Sequence, residues 1–425
     1  GNIYAGFGSF CDFSASQSRG WLLGWRADTL VPLAANRLTD TLATSPGSFF
    51  LSGIWMSGYG IAAAPNGKLF FSTGNSGPGT YDGVRNIQES VVKVGPQLVN
   101  LLGIFTPSNE FDMDKTDADL GSGGVLLLPA QPGPFPNLAA TAGKLGPMYL
   151  LNRDSLGGFT PGGPDKVLDK KPIKHCLCGP SYFTGPDGIG RVVSSGGNAI
   201  NAQITVWKIQ TSPTVAFVQE GAALPFASGQ DGGTFTSVSS NGTQAGTTII
   251  WATGRPTGTG PNPIAVNLYA FAATPSGGTL PLLFSSQAGS WPNTGGGANI
   301  VPVVANGWVF VASNKKLTIF GLGGGPFVAR AEDATKPAAL DTNAPPHEIT
   351  GVLEHAGGPV LTLRTRTGKI ARVDDSDALR SGQIGVLVPG NAYAVQGTTY
   401  DSTGALRAQV VGRAKASPAF WPPDR

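Results

Sequence analysis

The sequence predicts an all-β protein, a β-propeller of four-stranded blades followed by a small C-terminal OB-like β-barrel. Three observations carry that expectation. Glycine (62) and proline (34) are abundant among the 425 residues and charged residues are only 13%, which suits short strands joined by many turns and argues against helix bundles. A hairpin-like unit recurs at intervals of about 40 to 60 residues, the period of a propeller blade. After residue 325 the texture changes and longer alternating strands take over.

The template unit is residues 53–77, GIWMSGYGIAAAPNGKLFFSTGNSG. It holds an apolar run at Ile54 to Met56, a glycine-rich stretch, an Asn66-Gly67 pair and an alternating strand from Lys68 to Ser72. Asn-Gly between two apolar runs predicts a type I′ hairpin, because that turn needs positive φ at both central residues. About six such units precede residue 325. The first is short (residues 2–6 and 20–30), and the second adds ESVVKV (89–94) and a strand near 101–105 to the template. The third runs from GSGGVLLLP (121–129) to GPMYLLNRD (146–154), and the fourth from CGPSYFTG through ITVWKIQT (204–211) to TVAFVQE. The fifth reads GTFTSVSSNG, TIIWATGRP, VNLYAFAA and LPLLFSSQ, and the sixth ANIVPVVANG, WVFVASN and KLTIFGLG. Each offers up to about four strands spaced by Gly, Asn and Pro.

The propeller is thus expected over residues 1–325 and a linker over 326–346, rich in Ala, Pro and charge. An OB-like barrel of about five strands is expected over 347–416, with turns at Thr367-Gly368 and residues 402–404, and a tail over 417–425. Its basic stripe, Arg364, Arg366, Lys369 and Arg372, has few aromatics beside it and reads as a solvated strand face rather than a nucleic-acid platform. The net charge of +3 gives no electrostatic footprint for nucleic acid. No apolar run reaches the roughly 18 residues of a transmembrane helix. No signal peptide opens the chain, and GNIYAGFGSF reads as the middle of a hairpin, so an N-terminal segment carrying any export signal is expected before residue 1.

The strand-and-turn tails LLGWRADTL, MYLLNRDSL, LYAFAAT and LTIFGLG, and the unit IVPVVANGWVFVASNKKLTIFGL (300–322), resemble the repeats of the pyrroloquinoline-quinone (PQQ)-type β-propellers. GFGSFCD, GIWMSGYGIAA, FFSTGNSG, DADLGSGGVLLLP and CGPSYFTG are similar to an exported bacterial quinoprotein-like branch. The resemblance implies an eight-bladed propeller, of which this chain would lack about two N-terminal blades; closure as six or seven blades is the alternative. It also implies an extracytoplasmic location, periplasmic or secreted. The family's quinone enzymes use two adjacent cysteines over the cofactor, a Glu/Asn/Asp set for calcium, a catalytic aspartate and docking tryptophans. This chain has Cys-Leu-Cys instead, lacks the regular docking tryptophan and shows no calcium triad attached to those motifs. Function must be argued from the site.

In a propeller the start of each innermost strand shares a face with the loop between the second and third strands. Arg19, Trp55, Asn75, Asp82, Arg85, Tyr182, Trp291 and Asn299 are the ligand-contact candidates expected there, with Trp55 and Tyr182 inside innermost strands; blade packing is the other role for Trp55 and Trp291. Cys11, Cys176, Cys178 and His175 allow two readings, a disulfide, most simply from Cys11 to one of the pair, or a soft-metal site for zinc or copper. Asp112, Asp114, Asp117 and Asp119 crowd one loop, either as an acidic turn or around a calcium ion. His347 and His355 are expected on the barrel surface. The leading expectation is a binding or structural/interaction module, with a small molecule, glycan or protein as partner and without the redox apparatus. The alternative is a PQQ- or metal-dependent oxidoreductase sited near the cysteines.

Overall fold

A computed structural model describes residues 1–8, 20–33, 52–84, 86–198, 200–228, 232–254, 264–292, 299–321, 324–330, 347–356, 360–365, 367–380, 392–400 and 404–413. Two compact units divide the chain, Gly1–Val303 with Val311–Asn314, and Val304–Phe310 with Lys315–Arg425.

The first unit is a succession of antiparallel sheets in chain order. β1 (Asn2–Phe7) pairs with β2 (Trp21–Arg26). β3 (Ala62–Ala63), β4 (Leu69–Ser72), β5 (Val91–Val94) and β6 (Leu101–Thr106) form the next sheet. Helix α1 (Glu110–Thr116) leads to the sheet of β7 (Val125–Leu127), β8 (Leu138–Ala142) and β9 (Pro147–Asn152). β10 (Gly158–Phe159) adds in parallel to β6, and β11 (Asp169–Pro172) completes the sheet of β9. Two four-stranded meanders follow, β12 (Ser181–Thr184) to β15 (Ala216–Ala222) through β13 (Gly190–Ser194) and β14 (Thr205–Gln210), then β16 (Phe235–Ser239), β17 (Ile249–Gly254), β18 (Ile264–Ala272) and β19 (Leu282–Trp291).

Consecutive sheets stack through apolar layers. Phe71, Val92 and Leu69 pack with Leu22 and Ile54 between the first two sheets, and Phe70, Phe105, Val125 and Tyr149 between the second and third. Met148, Leu150, Val192 and Phe217 fill the next layer, and Val193, Val206, Ile250 and Phe271 the one after. Strands covered on both faces bury every residue, as β4, β5, β8 and β13 do. For that reason Leu69–Ser72 is a continuous buried run and not the alternating strand expected. Each fully buried Phe contributes about 2–3 kcal/mol of transfer free energy.

Side-chain hydroxyls tie the layers together at one end. Ser72 Oγ donates to the Gly123 carbonyl (2.6 Å), Ser122 Oγ to Cys176 (2.8 Å) and Ser195 Oγ to Thr234 (2.6 Å). Each bond satisfies a carbonyl entering the first strand of the following sheet, at a point where the ladder supplies no partner.

The Asn66-Gly67 hairpin between β3 and β4 exists, but its turn is not type I′. Gly67 alone has positive φ (+79°), and its N–H bonds the Ala64 carbonyl at 2.8 Å. Pro65 presets a type I turn and Gly67 supplies the left-handed residue that follows it.

A further four-stranded sheet, β20 (Val303–Ala305), β21 (Trp308–Ser313), β22 (Lys316–Gly321) and β23 (Gly324–Arg330), runs in that order. The boundary expected after residue 325 therefore falls inside a strand, because the chain keeps pairing with β22 as far as Arg330. β24 (His347–Ala356), β25 (Val360–Thr365), β26 (Ile370–Asp374), β27 (Ala392–Tyr400) and β28 (Leu406–Arg413) form a closed five-stranded barrel in the order β24-β25-β26-β28-β27, with α2 (Ser376–Arg380) after β26. Leu353, Leu363, Val373, Val395 and Leu406 fill it. The expected turn at Thr367-Gly368 is present, with Gly368 at φ +78°. Arg364 lies exposed beside Glu354, 2.5 Å away.

Candidate functional site

The loop end of the second and third sheets carries the densest polar constellation among the described residues. Segment 52–59 enters β3, segment 73–90 joins β4 to β5, segment 117–124 enters β7, and Lys144 sits in the turn from β8 to β9. The sequence crowds glycine there because backbones nearly touch. A methyl on Gly121 would lie 2.3 Å from the Gly74 nitrogen, and one on Gly123 would lie 2.0 Å from the Ala142 carbonyl oxygen. Gly124 and Gly179 make room for the ring of Tyr59, whose hydroxyl donates to the Pro180 carbonyl at 2.6 Å. The Gly121-Ser122-Gly123-Gly124 motif is thus a close-packing device.

Three carboxylates pin these loops. Asp119 Oδ1 accepts the Asn75 N–H (2.8 Å), Asp114 Oδ1 accepts the Ser76 N–H (2.9 Å), and Glu89 Oε2 accepts the Leu120 N–H (2.5 Å). Gln88 Nε2 donates to Asp114 Oδ2 and Asn75 Nδ2 to Asp117 Oδ1. Lys144 Nζ lies 2.5 Å from Asp119 Oδ2 and 3.0 Å from Asp117 Oδ1, and 5.7 Å from the centre of the Trp55 ring.

Burial shapes the protonation of this group. Glu89 is fully buried, and burial followed by the neighbouring Asp119 charge pushes its pKa well above the carboxylate range. Burial, then the hydrogen bond with Asp114, raises Glu110 to about 8. Burial pulls the Lys144 ammonium downward, but Asp119 and Asp117 outweigh it and hold the pKa above its ordinary value. Burial thus favours the protonated form of Glu89, while the two aspartates favour the charged form of Lys144.

Several side-chain atoms here are buried without a protein hydrogen-bond partner: Trp55 Nε1, Ser57 Oγ, Asn75 Oδ1, Gln88 Oε1, Glu89 Oε1 and Glu110 Oε1. Elsewhere among the described residues Arg153 Nε and Asp375 Oδ1 share that condition. The backbone is strained at the same place, with Met56 at φ +37°, Ser57 at +51° and Glu89 at +49°, a region that costs a non-glycine residue about 1–3 kcal/mol.

Of the residues singled out from sequence, the structure brings Trp55, Asn75, Asp114, Asp117 and Asp119 together. Trp55 is not inside an innermost strand as expected. The positive φ values at Met56 and Ser57 turn the chain in a 3₁₀ turn, and that strand shrinks to Ala62–Ala63. Tyr182 packs between the third and fourth sheets, its hydroxyl 3.4 Å from Gln131 Nε2. Asp82 accepts the backbone N–H groups of Val84 and Asn86 in its own turn. Trp291 ends β19, opposite Ile264, and Asn299 is exposed ahead of β20. Arg19, Arg85, Arg366 and Cys11 lie outside the described residues.

The acidic stretch is not arranged as a calcium loop among the described residues. Asp112 and Asp114 sit on α1 and not in a loop, the first exposed and the second buried, because neighbours two apart on a helix do not share a face. Asp114 and Asp119 spend their oxygens on backbone N–H groups, Gln88 and Lys144. Among the described residues no group of three His, Cys, Asp or Glu is placed to hold a metal ion. Cys176 and Cys178 form a disulfide with each other, in place of the expected bond from Cys11 to one of them. Both are buried in the apolar layer between the third and fourth sheets while His175 is exposed, so these residues do not fit a soft-metal centre or a cysteine ring facing a quinone. Sequence reasoning missed Glu89, Gln88, Glu110, Lys144 and Tyr59. A lone charged residue directly before an apolar strand, as in Glu89-Ser90-Val91, was the available signal.

No family model and no curated protein matches the chain. Among solved structures it is similar to the quinohaemoprotein alcohol dehydrogenase ADHIIG of Pseudomonas putida HK5, at 14% identity and a TM-score of 0.38, over 77% of this chain and 55% of that one. The quinohaemoprotein alcohol dehydrogenase of Comamonas testosteroni gives 12% identity and 0.40, over 75% and 55%. Chaetomium thermophilum Sqt1, solved bound to the N-terminus of ribosomal protein L10, gives 13% and 0.40, over 88% and 81%. The chain spans about half the length of the two dehydrogenases. These likenesses are remote, and what defines the fold is its own sheet order and packing.

Proposed function

We propose that the protein is an extracytoplasmic bacterial binding module whose recognition face is the loop end around Trp55, Asn75, Asp117 and Lys144, with a C-terminal OB-like barrel. The observation that carries the reading is the concentration there of buried, unpartnered polar atoms on a strained backbone, beside a half-buried indole and a lysine held between two aspartates. Each unpaired buried group costs about 1–3 kcal/mol, and a fold selected for stability alone would not gather them in one place. The quinone-dependent alternative has less support, because its cysteines are closed on each other beneath apolar side chains and the aspartates are committed to internal donors. The partner is a small polar molecule, a glycan or a peptide segment that lays an apolar face on Trp55 and a polar group on Lys144 and Asp117.

The test is a panel of glycans and peptides screened for binding to the full chain, repeated with Trp55→Ala and with Asp117→Lys, an exposed position. A bound member that loses tenfold or more in affinity in both variants supports the reading. A ligand indifferent to both, or quinone-supported reduction of an electron-accepting dye by the purified protein, overturns it.

A further inference from the structure

A second site lies away from the loop end, on the flank between the second and third sheets. There a cavity of about 670 Å³ opens between β6 and the segments 152–158 and 166–168. That volume is within the range of small-molecule sites. Its walls are of two kinds. Leu102, Ile104, Phe135 and Leu156 give it an apolar side, and Leu102 is 43% exposed on the part of β6 that β10 does not pair with. Lys93 and Lys166 give it a cationic side, with Asp154 at the margin.

Lys93 is the unusual member. It sits on β5, only 6% exposed, whereas lysine is almost never buried unless paired with a carboxylate. Its ammonium donates to the Arg153 carbonyl at 2.6 Å and lies 5.7 Å from the Phe70 ring. Among the described residues it forms no ion pair. An ammonium has three N–H groups, so this one retains donor capacity beside the cavity. Burial, and after it the charge of Lys68, lowers its pKa, with Arg153 acting in the same direction and Asp154 opposing. Cations, Lys68 and Arg153, outnumber the one carboxylate, Asp154, among the charges acting on it.

We propose that this cavity binds a carboxylate carried on an apolar body, the anion on Lys93 with Lys166 at the rim and the hydrocarbon along Leu102, Ile104, Phe135 and Leu156. A bound carboxylate supplies the counter-charge that Lys93 lacks, and the acyl chain covers the exposed part of the β6 edge. A simple inorganic anion would leave the apolar wall uncovered, and a neutral alcohol would leave the ammonium unpaired.

Titration calorimetry of the full chain with octanoate, octanol and acetate separates these contributions. Octanoate is expected to bind saturably, with octanol and acetate at least tenfold weaker. Lys93→Met keeps the packed stem and removes the charge, so it should erase the preference for octanoate over octanol. Leu102→Glu, at an exposed position, should weaken octanoate tenfold or more, while Lys115→Met on the exposed face of α1 should leave it unchanged. Should Lys93→Met fail to fold by circular dichroism, Leu102→Glu and Lys166→Glu carry the test. The proposal is overturned by octanoate binding no tighter than octanol, by no saturable binding at all, or by octanoate affinity unmoved in the cavity variants.

Discussion

Two charged clusters of the first unit have opposite characters. At the turn end of the fourth sheet, Arg191 uses all five of its N–H groups: Nε and Nη2 on Glu220, Nη1 and Nη2 on Asp187, and Nη1 again on the Ile189 carbonyl. Lys208 adds a bond to Asp187. Every donor is answered, and the arrangement reads as a finished structural clasp. At the loop end of the second and third sheets, the carboxylates and Lys144 are likewise engaged, but Trp55, Ser57, Asn75, Gln88 and Glu89 each keep an unanswered atom in the interior. A satisfied network explains itself through stability, while an unsatisfied one on strained backbone calls for a role in recognition.

The comparison is sharpest at Asp119. Its side chain is 1% exposed, pairs with Lys144 and holds the Asn75 N–H. Asp119→Ala would leave a partly buried ammonium with only the exposed Asp117, and an orphaned amide. Removing one partner of a buried pair costs about 3–5 kcal/mol, a loss that equilibrium urea unfolding would register. A loss below about 1 kcal/mol, the range of exposed pairs, would show that the Asp119–Lys144 pair behaves as a solvent-screened one.

Next in size is the packing of Tyr59. A methyl at Gly179 would fall 1.9 Å from Tyr59 Cε2, so Gly179→Ala should cost about 1–3 kcal/mol through overpacking. Combining it with Tyr59→Ala should give less than the sum of the two losses, because the clash is then gone. Strict additivity in urea unfolding would show that the ring does not rest on this glycine.

The pH dependence follows from Glu110. Its pKa rises from 4.5 to about 8 on folding, so above pH 4.5 the unfolded chain releases a proton that the folded chain retains. Its contribution is therefore complete below the unfolded value and is lost as pH climbs through about 8. Unfolding measured between those limits should show stability falling as the pH rises. Glu110→Gln should flatten that slope. The Arg191 clasp has the opposite sign, since Arg191 holds Asp187 below the carboxylate range and its contribution fades as the pH is lowered.

The sequence showed the repeated four-stranded meander and the five-strand barrel because glycine, proline and asparagine punctuate both, as at Gly67 and Gly368. It did not show the site's geometry. The left-handed Met56 and Ser57 carry no residue-type signal, so Trp55 read as a strand residue. The aspartates of residues 112–119 looked like one cluster, but α1 turns Asp112 outward and Asp114 inward. Glu89 and Lys144 lie far from Asp119 in sequence; Glu89 meets it because consecutive sheets stack, and Lys144 because the β8–β9 turn closes on the segment that enters β7 of the same sheet. The disulfide of Cys176 with Cys178 lies within the pair, and a Cys-x-Cys spacing carries no signal that distinguishes this from a bond to Cys11.

The smallest effect belongs to the clasp's outer edge. Lys208 Nζ sits 3.0 Å from Asp187 Oδ2, with both side chains about one-third exposed. Solvent screens such a pair, and ordering the lysine offsets much of the attraction. Arg191 already satisfies Asp187 from the other side, so Lys208→Met should change unfolding stability by no more than about 0.5 kcal/mol, and raising the salt concentration should remove what difference remains. A loss comparable to that of Asp119→Ala would mean that the clasp acts as one buried network, and the contrast between the two ends would have to be redrawn around charge burial rather than unpaired atoms.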